Sequence, residues 1–431
     1  MFPIENSDFL AYTKVFNDII VVRKDQVHEG DLMFYASNEC QLSKEFLSVN
    51  NMFRHGELNA DSSQTGFFED TGRVRAIKLR GFRSSGFLFG LTEMQKFCPE
   101  FTEEEMQQII NVDFDTVKDK LLVKAYIPYT KTPRSSNQIK ENKADKKYDR
   151  LVAGEFLFHY DTGMLQKEIY KIKPDDKVSI TVKLHGTSAI FANVPVKVYS
   201  KNPIIRFINL FRKKPIYKIA NGNLCASRRV IKNRYINKHL TKGFYSQDIW
   251  EIYNDWLKDY IPAGMTIYGE ICGFLPDGSP IQGAYDYGNR PKHSFLMIYR
   301  ITTDESNGKK EWEISEVKKF TLNLMKLVPE NENLSIHPID ILAEDSLRNL
   351  YPNVSVSGHW NEDIIDALRK DEKLGLEKME PLCRNKVPRE GIVVRKIGDV
   401  IPEAWKLKAF AFLNKEAKEI DKGNTNMEMN Q

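Results

Sequence analysis

Apolar and polar residues alternate in two different styles along this chain. In the first 150 residues the apolar runs are short, at 19–22, 31–35, 74–79 and 87–89, and Gly30, Gly72, Gly81 and Gly86 punctuate them. Short β-rich runs cut by glycine predict a small OB-like β-barrel. From Leu151 onward, strand-like runs at 178–182, 265–268, 294–301 and 391–395 are separated by segments with helical spacing. Residues 246–260 place Ile249, Tyr253, Trp256 and Leu257 at helical intervals behind a Ser246 cap, and residues 363–368 predict another helix. The expected class is α+β, an N-terminal barrel followed by antiparallel sheets with flanking helices.

Between the two styles lies a polar stretch, residues 130–150, with Pro133, Ser135, Ser136 and an excess of Lys and Arg. This is the composition of a linker or exposed loop. It divides the chain into domains at 1–150 and 151–418, and the polar residues 419–431 read as a disordered tail. The division suits the length, since single cores rarely grow past about 250–300 residues.

The run from Gly72 to Gly81 interleaves Arg73, Arg75, Lys78 and Arg80 with apolar residues. It reads either as a strand presenting cations to a polyanion or as an edge strand kept soluble by charge. Ala76 and Ile77 are adjacent, so the alternation slips, and a bulge or a partly buried cation is expected.

Composition narrows the picture only a little. A formal charge of +4, from 63 Lys+Arg against 59 Asp+Glu, leaves room for a local basic groove but proves no partner. Cys40, Cys98, Cys225, Cys272 and Cys383 form no C-x-x-C pair, which signals neither a zinc knuckle nor a disulfide framework and suits a reducing, cytoplasmic setting. No apolar run approaches a membrane span and no signal peptide opens the chain, so a soluble protein without a membrane partner is expected. A monomer is the expected state.

Candidate chemistry sits in a series of polar stations at strand ends. Lys183-Leu184-His185-Gly186-Thr187-Ser188 follows a β-rich run, with a glycine for a tight turn near a ligand and hydroxyls beside it. A second Lys-x-x-Gly, Lys78-Leu79-Arg80-Gly81, lacks that context. A free lysine has a pKa near 10.4, so only about one in 2,500 is neutral at pH 7, and attack on phosphorus needs help from burial and nearby cations. Glu270 ends one strand and Glu390 begins another, and two carboxylates aimed at one cleft can hold a hydrated divalent metal ion. In Trp405-Lys406-Leu407-Lys408-Ala409 the two amines share one strand face, where they suit phosphate charge.

In this order the stations resemble the covalent nucleotidyltransferase superfamily of polynucleotide ligases and mRNA capping enzymes. Lys183 to Gly186 looks like motif I, Ser227-Arg228 like motif Ia, Tyr268-Gly269-Glu270 like motif III, and residues 295–299 like motif IIIa. Glu390-Gly391 looks like motif IV and Lys406-Leu407-Lys408 like motif V. Histidine at the third position of motif I, the leader Phe158-His159-Tyr160-Asp161-Thr162 and the preceding β-rich module are similar to family 5 RNA ligases, in which an OB-fold domain precedes the nucleotidyltransferase domain. No motif VI follows motif V, and Arg300 stands where motif IIIa normally has aspartate.

The resemblance implies an ATP-grasp-like nucleotidyltransferase fold and an ATP-dependent RNA ligase that serves RNA repair. Lys183 would carry AMP. His185, Gly186, Arg228, Glu270, Lys406 and Lys408 would bind the nucleotide, with Phe295 or Tyr299 stacking on adenine. Glu390 and Glu270 would hold Mg²⁺ or Mn²⁺. RNA or an RNA/DNA nicked duplex would be the partner, with Arg73, Arg75, Lys78 and Arg80 as nucleic-acid contacts. A capping guanylyltransferase and a non-catalytic nucleic-acid-binding protein are the alternatives. The long spacer between Lys183 and Arg228 holds a basic insertion, residues 201–218, to which no role attaches.

Overall fold

The computed structural model describes residues 1–126, 151–232 and 245–421, apart from 6, 39, 80, 161, 201, 213–214, 246, 307, 356–357 and 399–402. The expected linker at 130–150, Arg80, the Ser246 cap and residues 422–431 of the tail lie outside the described residues. The chain divides into two units, Met1–Tyr129 with Leu413–Thr425 and Thr130–Phe412 with Asn426–Gln431.

The larger unit is built on two sheets. One runs Gly163–Met164, Ala404–Lys408, Gly391–Lys396, Lys177–Lys183 and Ile341–Ser346. The other runs Ile231–Lys232, Tyr217–Ala226, Thr187–Tyr199, Met265–Gly273, Ser294–Glu305 and Gly308–Glu311, and Leu334–Pro338 joins it beside Ser294–Glu305. Pairing is antiparallel except where Gly163–Met164 meets Ala404–Lys408 and Leu334–Pro338 meets Ser294–Glu305, so each sheet is mixed at one point. Strand alternation sorts the side chains of the five-stranded sheet cleanly. Val178, Ile180, Val182, Ile392, Val394, Trp405 and Leu407 enter the main core, together with Phe191, Ile267, Ile271 and Leu296 of the other sheet. Their neighbours Thr181, Lys183, Val393 and Lys406 take the opposite face. Residues 184–186 carry the chain directly from one sheet into the other.

Helices Ile249–Leu257, Ile314–Leu327 and Trp360–Lys370 flank these sheets, each burying apolar residues at helical spacing. The first of them differs from the expected one. Asp248 caps it by accepting a hydrogen bond from the Glu251 amide at 3.2 Å, and it ends at Leu257 in a 3₁₀ turn.

The smaller unit does not show the expected closed barrel among the described residues. Phe2–Pro3, Leu10–Val15 and Asp18–Arg23 make a three-stranded meander, and the other strands pair only two by two. The reason is what fills the middle: Phe34, Phe46, Phe53, Phe68, Phe89 and Phe97 form a phenylalanine-rich core packed with helices Lys44–Val49 and Leu91–Phe97. Ala76–Leu79 and Phe82–Ser85 form a tight hairpin whose turn needs Gly81 at φ +88°. The C-terminal helix Phe410–Asp421 runs past Lys418, where the tail was expected to begin.

Candidate active site

Lys183 is the last residue of its strand and lies in register with Gly391, which in turn faces Lys408. The middle of that row has no side chain. A Cβ on Gly391 would come within 2.5 Å of the Leu407 carbonyl oxygen, which explains the glycine by packing. Lys183 Nζ meets Glu390 Oε1 at 2.8 Å, and the carboxylate is fully buried while the lysine side chain keeps 17% of its exposure. His185 Nδ1 stands 3.9 Å from the other oxygen of Glu390. Arg389 anchors this corner, donating from Nε to Glu380 at 3.1 Å and from Nη1 to the Leu374 carbonyl at 2.6 Å.

The turn after Lys183 is locked from three sides. The His185 amide donates to the Tyr287 hydroxyl at 2.7 Å, and Gln282 Nε2 donates to the Gly186 carbonyl at 2.8 Å. The imidazole sits edge-on to Tyr285 and Phe412 at centroid distances of 4.8 and 4.9 Å. A Cβ on Gly186 would reach 2.4 Å from the Ile271 carbonyl oxygen and 2.7 Å from Cys272 Sγ. Gly186 is therefore required by close approach to the neighbouring strand, and His185 orients the turn from the buried side.

A cleft open to solvent lies over the polar face of the five-stranded sheet. It brings together Lys183, Arg228, Glu270, Tyr299 and Lys406, five of the residues singled out in the sequence. Glu390 and Lys408 do not line it; the Lys408 ammonium lies 5.4 Å from the Phe412 ring centroid. Phe295 is elsewhere, buried in the core against His337 at 4.6 Å and Tyr287 at 6.0 Å. The aromatic that faces the cleft is Tyr299. Its hydroxyl is 3.1 Å from His159 Nδ1, and burial, with Glu270 nearby, pushes its pKa well up, so it remains a neutral phenol. Burial first, then Glu270 and Glu390, raise the Cys272 thiol as well.

Several residues in and behind the cleft wall were assigned no site role from the sequence. Pairing slips between Tyr268–Arg300 and Gly269–Ile298, leaving Tyr299 as a bulge, so the adjacent Tyr299 and Arg300 both reach the cleft. Arg300 donates from Nε to Glu311 at 2.7 Å and lies between the rings of Tyr160 and Tyr268, at 4.3 and 4.2 Å. Arg395 pairs with the other oxygen of Glu311, so one buried carboxylate binds two arginines in the cleft wall. Arg395 follows from parity, two residues beyond Val393, whereas Glu311 left no local signal. Among the described residues no cluster of three metal-ligating side chains occurs. Glu270, whose Oε2 accepts from Ser188 Oγ at 3.4 Å, and Glu390 fit a hydrated ion that keeps most of its ligands from water and phosphate.

The four proposed nucleic-acid contacts in the smaller unit separate. Arg73 is only 5% exposed, bridges to Gln41 and packs its guanidinium 4.9 Å from the Tyr126 ring centroid, which corrects its reading as a surface cation. Alternation holds here, with Val74 and Ala76 facing the core and Arg73 on the side of Arg75; what buries Arg73 is the neighbouring strand at Gln41 and the Tyr126 ring over its guanidinium. Arg75 reaches Glu69 at 3.5 Å, Lys78 is exposed, and Arg80 lies outside the described residues.

Comparison with known proteins agrees with this geometry. The family model for RNA ligase matches residues 176–407, more than half of the chain. No curated protein matches in sequence. Among solved structures, an RNA ligase of Naegleria gruberi, a lysine-to-alanine mutant with ATP and Mn, is similar at 14% identity over 96% of this chain and 94% of that chain, with a TM-score of 0.51. A glutamate-to-alanine mutant of it with AMP and Mn matches at 15% identity over 96% of each chain, with a TM-score of 0.53. At these identities the likeness speaks for the fold. On the match across residues 176–407, the chain belongs to the RNA ligase family.

Proposed function

We propose that this protein is an ATP-dependent RNA ligase that works through a lysyl-AMP intermediate on Lys183. One observation carries the reading: Lys183 ends a strand on the cleft face, paired with buried Glu390, in the same cleft as Arg228, Glu270 and Lys406. Solved relatives named with ATP, AMP and Mn support the choice of nucleotide and metal.

In the first step Nζ of Lys183 attacks the α-phosphorus of ATP, a P–N bond forms, and the bond to the bridging oxygen breaks to release pyrophosphate. The amine must give up a proton, and Glu390 Oε1 at 2.8 Å is its nearest acceptor. The AMP then passes to an RNA 5′-phosphate, and attack by a 3′-hydroxyl joins the ends and releases AMP. Each transfer is in line at phosphorus, so the protein contributes mainly position and charge. Lys406 and Arg228 would face the phosphates, and the purine would lie against Tyr299, Met297, Val393 and Ile339, which line the same cleft. Mg²⁺ or Mn²⁺, held by Glu270 and Glu390, would neutralise charge on the phosphate oxygens.

Residues 151–418 would carry the chemistry, and the N-terminal region would grip a nicked duplex through Lys78 and Arg75. A monomer acting in the cytoplasm is part of the same reading. Incubation with labelled ATP or GTP tests it: AMP bound covalently to Lys183 is expected. GMP transfer would favour a capping enzyme, and no transfer would favour a non-catalytic binding protein.

A further inference from the structure

The strand that leaves the nucleophile's turn is longer than the sheet it belongs to. In Thr187–Tyr199, the residues up to Asn193 pair with Met265–Gly273, but 194–199 run on beyond that strand, paired with Tyr217–Ala226 and, at Val196, bridged to Leu151. At about 3.4 Å per residue the two strands run on as a ribbon for roughly 20 Å. Helix Pro203–Phe211 lies between them in the chain. It is specified locally, with Pro203 at its first position and Asn202 accepting from the Ile204 amide at 2.9 Å.

That helix is built inside out. Its buried residue is polar: Asn209 accepts from the Ile216 amide at 2.8 Å and donates to the Ile216 carbonyl at 3.2 Å. Its apolar residues point away, with Phe207 62% and Phe211 76% exposed and their rings edge to face at 5.1 Å. On the ribbon, Tyr199 and Tyr217 form a second ring pair at 5.9 Å, with Lys197 Nζ 5.6 Å from the Tyr217 centroid. The charge around them is one-sided. No Asp or Glu occurs between Asp176 and Asp248, a run that carries fifteen Lys and Arg. An ordinary solvated face mixes both signs.

We propose that this ribbon and its helix bind unpaired nucleotides of the RNA substrate away from the ends being joined. Cations without competing acids suit a polyanion, and exposed aromatic faces stack on bases only where those bases are not already paired. The strand Tyr217–Ala226 leads straight to Ser227 and Arg228, and Arg228 lines the cleft, so the ribbon runs along the chain into the site of chemistry, a continuity of chain. The inference rests on the ligase reading. An anionic lipid surface or a second copy of the chain would also cover the apolar side chains, but neither accounts for that continuity.

The test uses the full chain carrying either Phe207→Ala with Phe211→Ala or Arg206→Ala with Arg212→Ala, each checked for unchanged circular dichroism. Binding is measured to a 5′-phosphorylated RNA with a single-stranded flank and to a fully paired nicked duplex, at two salt concentrations. The phenylalanine pair should weaken binding to the flanked RNA at least about tenfold and leave the paired duplex nearly unchanged. The arginine pair should lower the salt slope by about 1.4. Unchanged binding to flanked RNA in both variants overturns the proposal. So does phenylalanine-dependent binding to phosphatidylserine/phosphatidylcholine vesicles, or a dimer in sedimentation that the phenylalanine pair dissolves, when RNA affinity is unaffected. Both variants should still accept AMP from ATP. Failure of the wild-type chain to do so counts against the ligase reading, while the RNA affinities still judge the ribbon.

Discussion

Ala404–Lys408 and the run around Ala76–Leu79 carry the same surface pattern, cations interleaved with apolar residues, and they end in opposite environments. In the first, Trp405 and Leu407 enter the core while Lys406 reaches the cleft, as strict alternation requires. In the second, Val74 and Ala76 take the core positions, yet Arg73 on the other face is buried too, beside Gln41 of the neighbouring strand and against Tyr126. A period of two assigns faces reliably only while it is unbroken and only where the two faces meet different surroundings. A neighbouring segment laid against the polar face turns a surface cation into a buried one.

The largest expected effect lies on the regular side of this comparison. Lys183→Ala and Lys183→Arg should both lose adenylylation to background with the fold intact, because arginine stays protonated and cannot attack phosphorus. Labelled-AMP transfer measures it, and retained labelling would move the nucleophile elsewhere, with Lys78 on the irregular strand the first to examine. Next comes Lys406→Ala, whose amine faces the cleft in the neighbouring row. It should slow adenylylation by about 10²–10³-fold, the cost of removing one charge-stabilising donor.

Two aromatic substitutions sharpen the same contrast one sheet away. Phe295→Ala should destabilise the fold by about 3–5 kcal/mol, seen in chemical denaturation. Tyr299→Ala should chiefly raise the KM for ATP in the adenylylation assay. If Phe295→Ala raised that KM and left stability alone, the placement of the nucleobase beside Tyr299 would be wrong. The smallest effects separate the cations of the N-terminal unit. Lys78→Ala should lower the salt slope of nick binding by about 0.9, whereas Arg73→Ala should lower Tm and leave the slope unchanged. Equal slopes for the two would erase the distinction drawn from burial.

Much of the candidate site was legible because its signals are local. Lys183 ends its strand and Arg228 follows one, while Glu270, expected at a strand end, and Lys406 lie inside theirs; glycine or alternation marks each, and their order along the chain carried the resemblance. Other parts were not local. Glu311 binds Arg300, eleven residues upstream across a hairpin, and Arg395, far downstream in the other sheet, and nothing in its own neighbourhood separates it from a surface glutamate. The choice between Phe295 and Tyr299 depended on a bulge, which shifts which side chains face the cleft without altering composition. The smaller unit was read as a barrel because short strands and glycines suit one, but its phenylalanines pack around helices instead.

The amino-acid sequence by itself determined the strand periodicity of the larger unit and the set of charged groups available for phosphoryl chemistry. Backbone sterics and side-chain alternation act within a few residues, so they can be read without knowing what lies opposite. Only the tertiary structure decided that Lys183 pairs with a fully buried Glu390, that His185 supports the turn from behind, that Arg73 is inside and that the apolar residues of Pro203–Phe211 are outside. Burial and pairing are properties of two surfaces brought together, and the second surface comes from a part of the chain that local pattern does not specify.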